Sequence, residues 1–175
     1  MQKLVITALA GTCLLLSTDA FSQGEVEVTW QNPQKYRDVR PASGSRKRFA
    51  ENTFNKLDEY LVELAESLPD GQKLLITVTN LDLAGEVWPA SFVGFGSGGS
   101  NVRLIKSIDI PRMTFSYQLL GHTGEVLQQG EEKLKDMSFQ DRANRFFDSE
   151  PLRYEKNMLR KWFFSTFAQE VAKNQ

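Results

Sequence analysis

The run Leu74-Leu75-Ile76-Thr77-Val78-Thr79-Asn80-Leu81-Asp82-Leu83 is the stretch that most limits how this chain can fold. Leu74, Ile76 and Val78 recur with the period of two that puts them on one face of a strand. At Asn80 the apolar phase slips to Leu81 and Leu83, as it does at a bulge or a strand end. A strand with one greasy face must be covered on that face, so the rest of the chain has to supply the cover. A carboxylate, Asp82, sits inside the run, and Gly85 and Trp88-Pro89 follow it closely. That pairing of a charge with a turn is the strongest local hint of a site.

The flanking segments supply partners for such a strand. Val26, Val28 and Trp30 alternate with Glu25, Glu27 and Thr29, which predicts a strand. The stretch 31–44 holds Pro33, Pro41 and Gly44 and reads as an ordered loop. Ser45 is placed to cap a long helix running to about Ser67. Along it Phe54, Leu57, Leu61, Leu64 and Leu68 form one buried stripe, and Pro69-Asp70-Gly71 ends it. After Trp88-Pro89 comes a glycine-rich loop. Val102, Leu104, Ile108 and Ile110 then alternate with polar residues and predict a strand up to Pro111. Met113, Phe115, Tyr117 and Leu119 give the cleanest alternation in the chain, and Gly121-His122-Thr123-Gly124 turns it into a more polar strand over 125–137. Residues 138–150 carry no period. Pro151 suits the first position of a final helix whose buried stripe is Leu152, Leu159, Phe163 and Phe167, with Trp162 and Val171 beside it. The expected order is β-α-β-β-β-α. The fold class is therefore α+β, with a largely antiparallel sheet of about four to five strands and two helices on one face.

The amino-terminal segment reads as an export leader. Met1-Gln2-Lys3 is short and positive, Leu4 to Leu16 carries no charge, and residues 17–23 are mostly small and polar. The apolar run is about 13 residues, short of the roughly 20 that a membrane-spanning helix needs. Cleavage after Ser22, with Ala20 at the −3 position, is preferred over cleavage after Ala20. The expected division is a signal peptide over 1–22 and a single α+β domain over 23–175, exported to the periplasm as a soluble protein. Cys13 lies in the middle of the apolar run with Leu14-Leu15-Leu16 after it, which disfavours a lipid anchor.

That cleavage would remove the one Cys, and the chain has one His, so disulfides, thiolate chemistry and Cys- or His-rich metal sites lack material. No metal site and no cofactor are read from the sequence. A net charge of −1 gives no general affinity for polyanions, so nucleic acid is not an expected partner. The literal G-x-G-x-x-G match at Gly94 to Gly99 is followed by a strand pattern rather than a helix, which makes it a surface loop and not a nucleotide fingerprint. His122 reads as a turn residue. Trp162-Phe163-Phe164 with Phe167 is apolar nearly all round, which fits a core helix or a partner surface.

Two groups of residues could carry function. Lys35, Arg37, Arg40, Arg46, Lys47 and Arg48 gather before and within the first turn of the predicted helix. Cations there oppose the helix dipole unless an anion joins them, so Arg37, Arg40, Arg46 and Arg48, with Trp88, are the candidate anion- or partner-binding residues. Their structural alternative is pairing with Asp38, Glu51 or Asp82. Asp38 and Asp82, with Glu86, are the carboxylates that could act as acid and base or hold a metal. A buried Asp82 must otherwise be paired, or sit at a strand end in solvent.

Val28-Thr29-Trp30, Pro33, Tyr36 to Pro41, Ser45-Arg46 with Phe49, Leu68-Pro69-Asp70-Gly71, Val78 to Gly85, Pro111-Arg112 and Tyr117 together are similar to the exported bacterial family catalogued as domain of unknown function 3016. The resemblance spans most of the chain after the leader. It implies export and a single domain, and it carries over no catalytic residue. The expected function is a non-enzymatic binding or accessory module of the cell envelope, with a small anion or an envelope protein as partner. The alternative is a carboxylate-dependent hydrolase or lyase using Asp38 and Asp82.

Overall fold

The computed structural model describes residues 23–36, 38–94, 99–141 and 146–174. The expected leader over 1–22, and Arg37 of the basic group, lie outside them. The elements are β1 (Glu25–Trp30), α1 (Arg46–Ala65), β2 (Lys73–Asp82), β3 (Glu86–Trp88), β4 (Val102–Leu104), β5 (Arg112–Leu120), β6 (Val126–Lys135), α2 (Arg153–Thr166) and α3 (Ala168–Lys173). Four strands form one sheet in the order β1-β2-β5-β6, and β3 and β4 form a separate two-stranded ribbon. The fold is α+β. No helix among the described residues is long and apolar enough to cross a membrane.

Strand β2 is central because both of its neighbours can bury a face with it. Leu74, Ile76 and Val78 stand opposite Leu119, Tyr117 and Phe115 of β5, and opposite Val26, Val28 and Trp30 of β1. The register shifts between Val78 and Asn80, so Thr79 is the extra residue of a bulge that returns Leu81 to the core opposite Met113. The β5 and β6 pairings are antiparallel and the β1–β2 pairing is parallel. A parallel neighbour needs a crossover, and the 20-residue α1 provides it.

Helix α1 buries Phe54, Leu57, Leu61 and Leu64 against the sheet, and Leu68 just beyond it is also buried. Helix α2 adds Met158, Leu159, Trp162 and Phe163, and Phe167 joins the same core. Trp162 meets Phe115 edge to face at 4.7 Å and Tyr117 at 5.5 Å. The opposite face of the sheet, with Thr77, Ser116, Gln118 and Gln129, forms an open polar surface.

Ser45 caps α1, its hydroxyl accepting from the Arg48 N–H at 3.3 Å. Ser45→Ala is expected to cost about 1 kcal/mol in urea unfolding. Ser45→Asp is expected to recover that loss, because a carboxylate there faces both the helix dipole and a first turn with no acidic residue.

Three local expectations are corrected. The alternation over 102–110 yields a strand only at Val102–Leu104; a turn closes from the Asp109 N–H to the Lys106 carbonyl, and Ile108 is 76% exposed. The alternation there reflects a ribbon edge and a turn, not a continuous ladder. Pro151 does not start the final helix. Leu152 takes a left-handed backbone (φ 60°) and α2 begins at Arg153. The final helix is also broken at Phe167 into α2 and α3, so its apolar stripe runs across two helices.

Candidate functional site

The site is built where β2 leaves the main sheet and turns into β3. Gly85 makes that corner with φ +77°, and a Cβ on it would run into the Leu104 carbonyl and 2.6 Å from Ile105 Cδ1. Only glycine fits both the backbone and the approach of β4.

Three side chains lock the corner. The Tyr36 hydroxyl lies 2.8 Å from the Val78 carbonyl and 2.9 Å from the Gln31 carbonyl, which pins loop 31–41 beside the bulge. Burial pushes its phenol up to about 12. Arg103 of β4 then reaches across. One terminal nitrogen donates to Asp38 Oδ2 at 2.6 Å and to the Gly85 carbonyl at 2.8 Å; the other donates to the Asp38 and Arg40 carbonyls at 2.9 and 3.0 Å. The planar fork of a guanidinium is what allows one side chain to serve a carboxylate and several carbonyls at once. From the other side Glu155 of α2, 2% exposed, accepts the Ala84 N–H at 2.7 Å.

Outside this lock lies a cleft of about 620 Å³, lined among others by Asp38, Arg40, Asp82, Glu86, Asp109 and Arg112. Asp82, at the end of β2, pairs with Arg112 directly across on β5, at 2.8 Å. Asp38 is paired with Arg103, the side chains being 12% and 20% exposed. Burial raises the Asp38 carboxyl above its ordinary range; Arg103 opposes that rise and the Asp82 charge adds to it. Burial likewise raises Glu155, opposed by the Ala84 N–H. Asp109 has one carboxylate oxygen shielded from solvent and without a partner among the described residues. Its backbone carbonyl accepts the Gly85 N–H at 2.9 Å, tying loop 105–110 to the corner. Among the described residues no three His, Cys, Asp or Glu side chains converge into a group that could hold a metal.

The structure brings Asp38, Asp82, Glu86 and Arg40 to this one cleft. Arg40 donates weakly to the Val87 carbonyl at 3.4 Å. Arg46 turns away from the cleft, donating to the Tyr36 carbonyl at 2.9 Å. Arg48 is exposed on the first turn of α1. Trp88 lies on β3 with the Lys106 ammonium 3.8 Å above its ring. The basic residues therefore divide between the cleft, the loop and solvent. The carboxylate partners are Arg103 and Arg112, neither of them in the basic stretch. Arg103 was hidden as an ordinary polar position of an alternating segment. Glu155 carried a legible signal, because Leu152, Glu155, Leu159 and Trp162 follow one helical stripe and the acid occupies a core position in it.

A family model described as a protein of unknown function, DUF3016, matches residues 24–165. No curated protein and no solved structure matches the chain.

Proposed function

The chain belongs to the DUF3016 family of proteins of unknown function, and from that premise we propose that it is an exported, non-enzymatic binding module of the cell envelope whose recognition surface is the cleft beside the β2–β3 corner. The observation that carries this reading is the pairing of both candidate carboxylates. Asp38 is held by Arg103 and Asp82 by Arg112, so neither stands ready as a free base or nucleophile. Charge-paired walls around an open polar cleft favour holding a ligand over turning it over. Arg40 and Arg112 offer donors for an anionic group, and Glu86 and Asp109 offer acceptors beside them.

The test is native mass spectrometry of the protein recovered gently from the periplasmic fraction. A discrete extra mass, retained in Arg48→Ala and lost in Arg40→Ala, is the expected result. A bare monomer for the wild type, or the extra mass surviving Arg40→Ala, counts against the cleft as the binding surface. Recovery of the protein only from the cytoplasmic fraction counts against the envelope role.

One observation favours the enzymatic alternative. The Asp38 carboxyl is raised by burial and shares its cleft with a second carboxylate, Asp82, and two carboxyls on one cleft are the material of acid–base catalysis. Hydrolysis of glycoside, ester or phosphoester panels that disappears in Asp82→Asn would establish it. Asp82 is the residue to test because its pair is partly solvated and its loss spares the buried lock.

A further inference from the structure

We propose that removal of the leader after Ser22 creates a buried contact as well as a new end: the α-ammonium of Gln23 docks at the carboxy-terminal end of α1 and donates to the side-chain carbonyl of Gln72. The inference rests on the export reading above. The covalent step is hydrolysis of the Ser22–Gln23 peptide bond by an envelope endopeptidase. Water supplies the oxygen of the new Ser22 carboxylate, and the Gln23 nitrogen leaves as an amine that is protonated at neutral pH.

Five observations meet at this point. Gly24 is buried, and a Cβ on it would strike the Ala65 carbonyl and lie 2.7 Å from Leu68 Cβ. The chain therefore enters the fold through a slot that admits no side chain, one residue after Ser22-Gln23. The sheet begins immediately beyond it, with the Glu25 N–H donating to the Gln72 carbonyl at 2.9 Å. The family match also starts at residue 24.

The slot opens on a hollow of about 250 Å³, lined by Gln23, Glu25, Gln72, Lys73 and His122. Gln72 is 8% exposed. Its amide nitrogen donates to Glu170 at 2.7 Å, and its amide oxygen has no partner among the described residues. A buried carbonyl oxygen without a donor is costly, and an ammonium beside it would remove that cost. The helix end asks for the same charge. Helix α1 has 20 residues, no basic residue in its last turn, and Glu66 at its C-cap. A cation is favoured at such an end. The nearby charges are largely committed elsewhere: Lys73 pairs with Glu27 at 2.8 Å, and Glu170 takes Lys173 besides Gln72.

Docking has a chemical readout. A free amino-terminal glutamine cyclises when its neutral α-amine attacks its own side-chain amide carbon and expels ammonia. A protonated, docked amine has no lone pair to attack with, so Gln23 should persist uncyclised.

The experiment uses the full chain, exported and recovered, with its start read by amino-terminal sequencing and intact mass. A start at Gln23 is expected; an unprocessed chain or another start overturns the processing step and the docking together. On the Gln23 form, ammonia loss is then followed by mass in the wild type and in Gln72→Leu. The variant is expected to cyclise about tenfold faster, the equivalent of one unit in amine pKa. Acetylating the α-amine of the wild type is expected to lower its melting temperature by about 2–4 °C. A Gln23 start with equal cyclisation rates, or with no melting shift on acetylation, overturns the docking and leaves processing intact. The acetylation arm needs no variant, so it decides the matter even if Gln72→Leu fails to fold.

Discussion

Arg103→Ala is expected to cost the fold about 3–5 kcal/mol, the largest loss from any single charged side chain in this protein. The magnitude follows from what the guanidinium leaves behind. Asp38, with its side chain 12% exposed, would keep its burial and lose its counter-charge. The carbonyls of Asp38, Arg40 and Gly85 would lose a donor in the same step. Arg103 ties the Asp38–Arg40 segment to the β3–β4 ribbon and to the glycine corner, so the cleft would lose its shape with the stability. Urea unfolding followed by circular dichroism measures the cost. The double variant Arg103→Ala with Asp38→Asn should recover part of it, because the orphaned charge is gone. Arg103→Lys should fall between wild type and alanine, since an ammonium cannot span a carboxylate and several carbonyls. A loss below about 1 kcal/mol for Arg103→Ala would place the corner's stability elsewhere.

Glu155 tests the same corner from the helix side. Glu155→Ala is expected to cost about 1–3 kcal/mol, because the Ala84 N–H would be left buried without an acceptor. Glu155→Gln keeps an oxygen for that N–H and removes only the charge. Burial raises the Glu155 carboxyl above its ordinary 4.5. A raised acid holds its proton in the native state after the unfolded chain has released it. Its contribution to stability is therefore full below the unfolded value, and it is lost as pH rises through the folded one. The groups that face Glu155 are Arg103, which opposes the rise, and Asp38, which adds to it and is itself raised. Glu155→Gln should flatten the decline in stability from mildly acidic to neutral pH, and should equal or exceed the wild type at pH 7. Unfolding curves between pH 4 and 8 for both proteins check the sign. Parallel pH profiles would mean that Glu155 binds its proton equally in the native and unfolded states, and would overturn the raised carboxyl. The exposed acids with lowered values, Glu27 and Glu125, act in the other direction in both proteins and cancel in the comparison.

Much of the scaffold is legible in the chain because its signals are local and repeated. The alternation over β2 and β5, the stripe of α1 and the phase slip at Asn80 each depend on side chains a few residues apart, and each appears where the pattern puts it. Shorter patterns misled. The alternation over 102–110 is one three-residue strand followed by a turn, and a proline two residues ahead of α2 was outweighed by the left-handed backbone at Leu152. Periodicity reports which face a residue takes if a strand exists. It does not report that a neighbouring strand is there to pair with it.

The cleft was legible in part. Asp38 and Asp82 stood out by chemical type and do line it together with Arg40. Their partners did not stand out, because Arg103 lies 65 residues from Asp38 and Arg112 lies 30 from Asp82. The chain alone determined the α+β class, a half-buried central strand, a capped helix over it and a polar corner after Asp82. Only the tertiary structure decided that β1 runs parallel to β2, that the basic stretch divides between cleft, loop and solvent, and which arginine meets which carboxylate. The reason is physical. Burial patterns are set by the covalent spacing of neighbours, whereas ion pairing and strand order are set by which distant segments the packed core brings within a few ångströms.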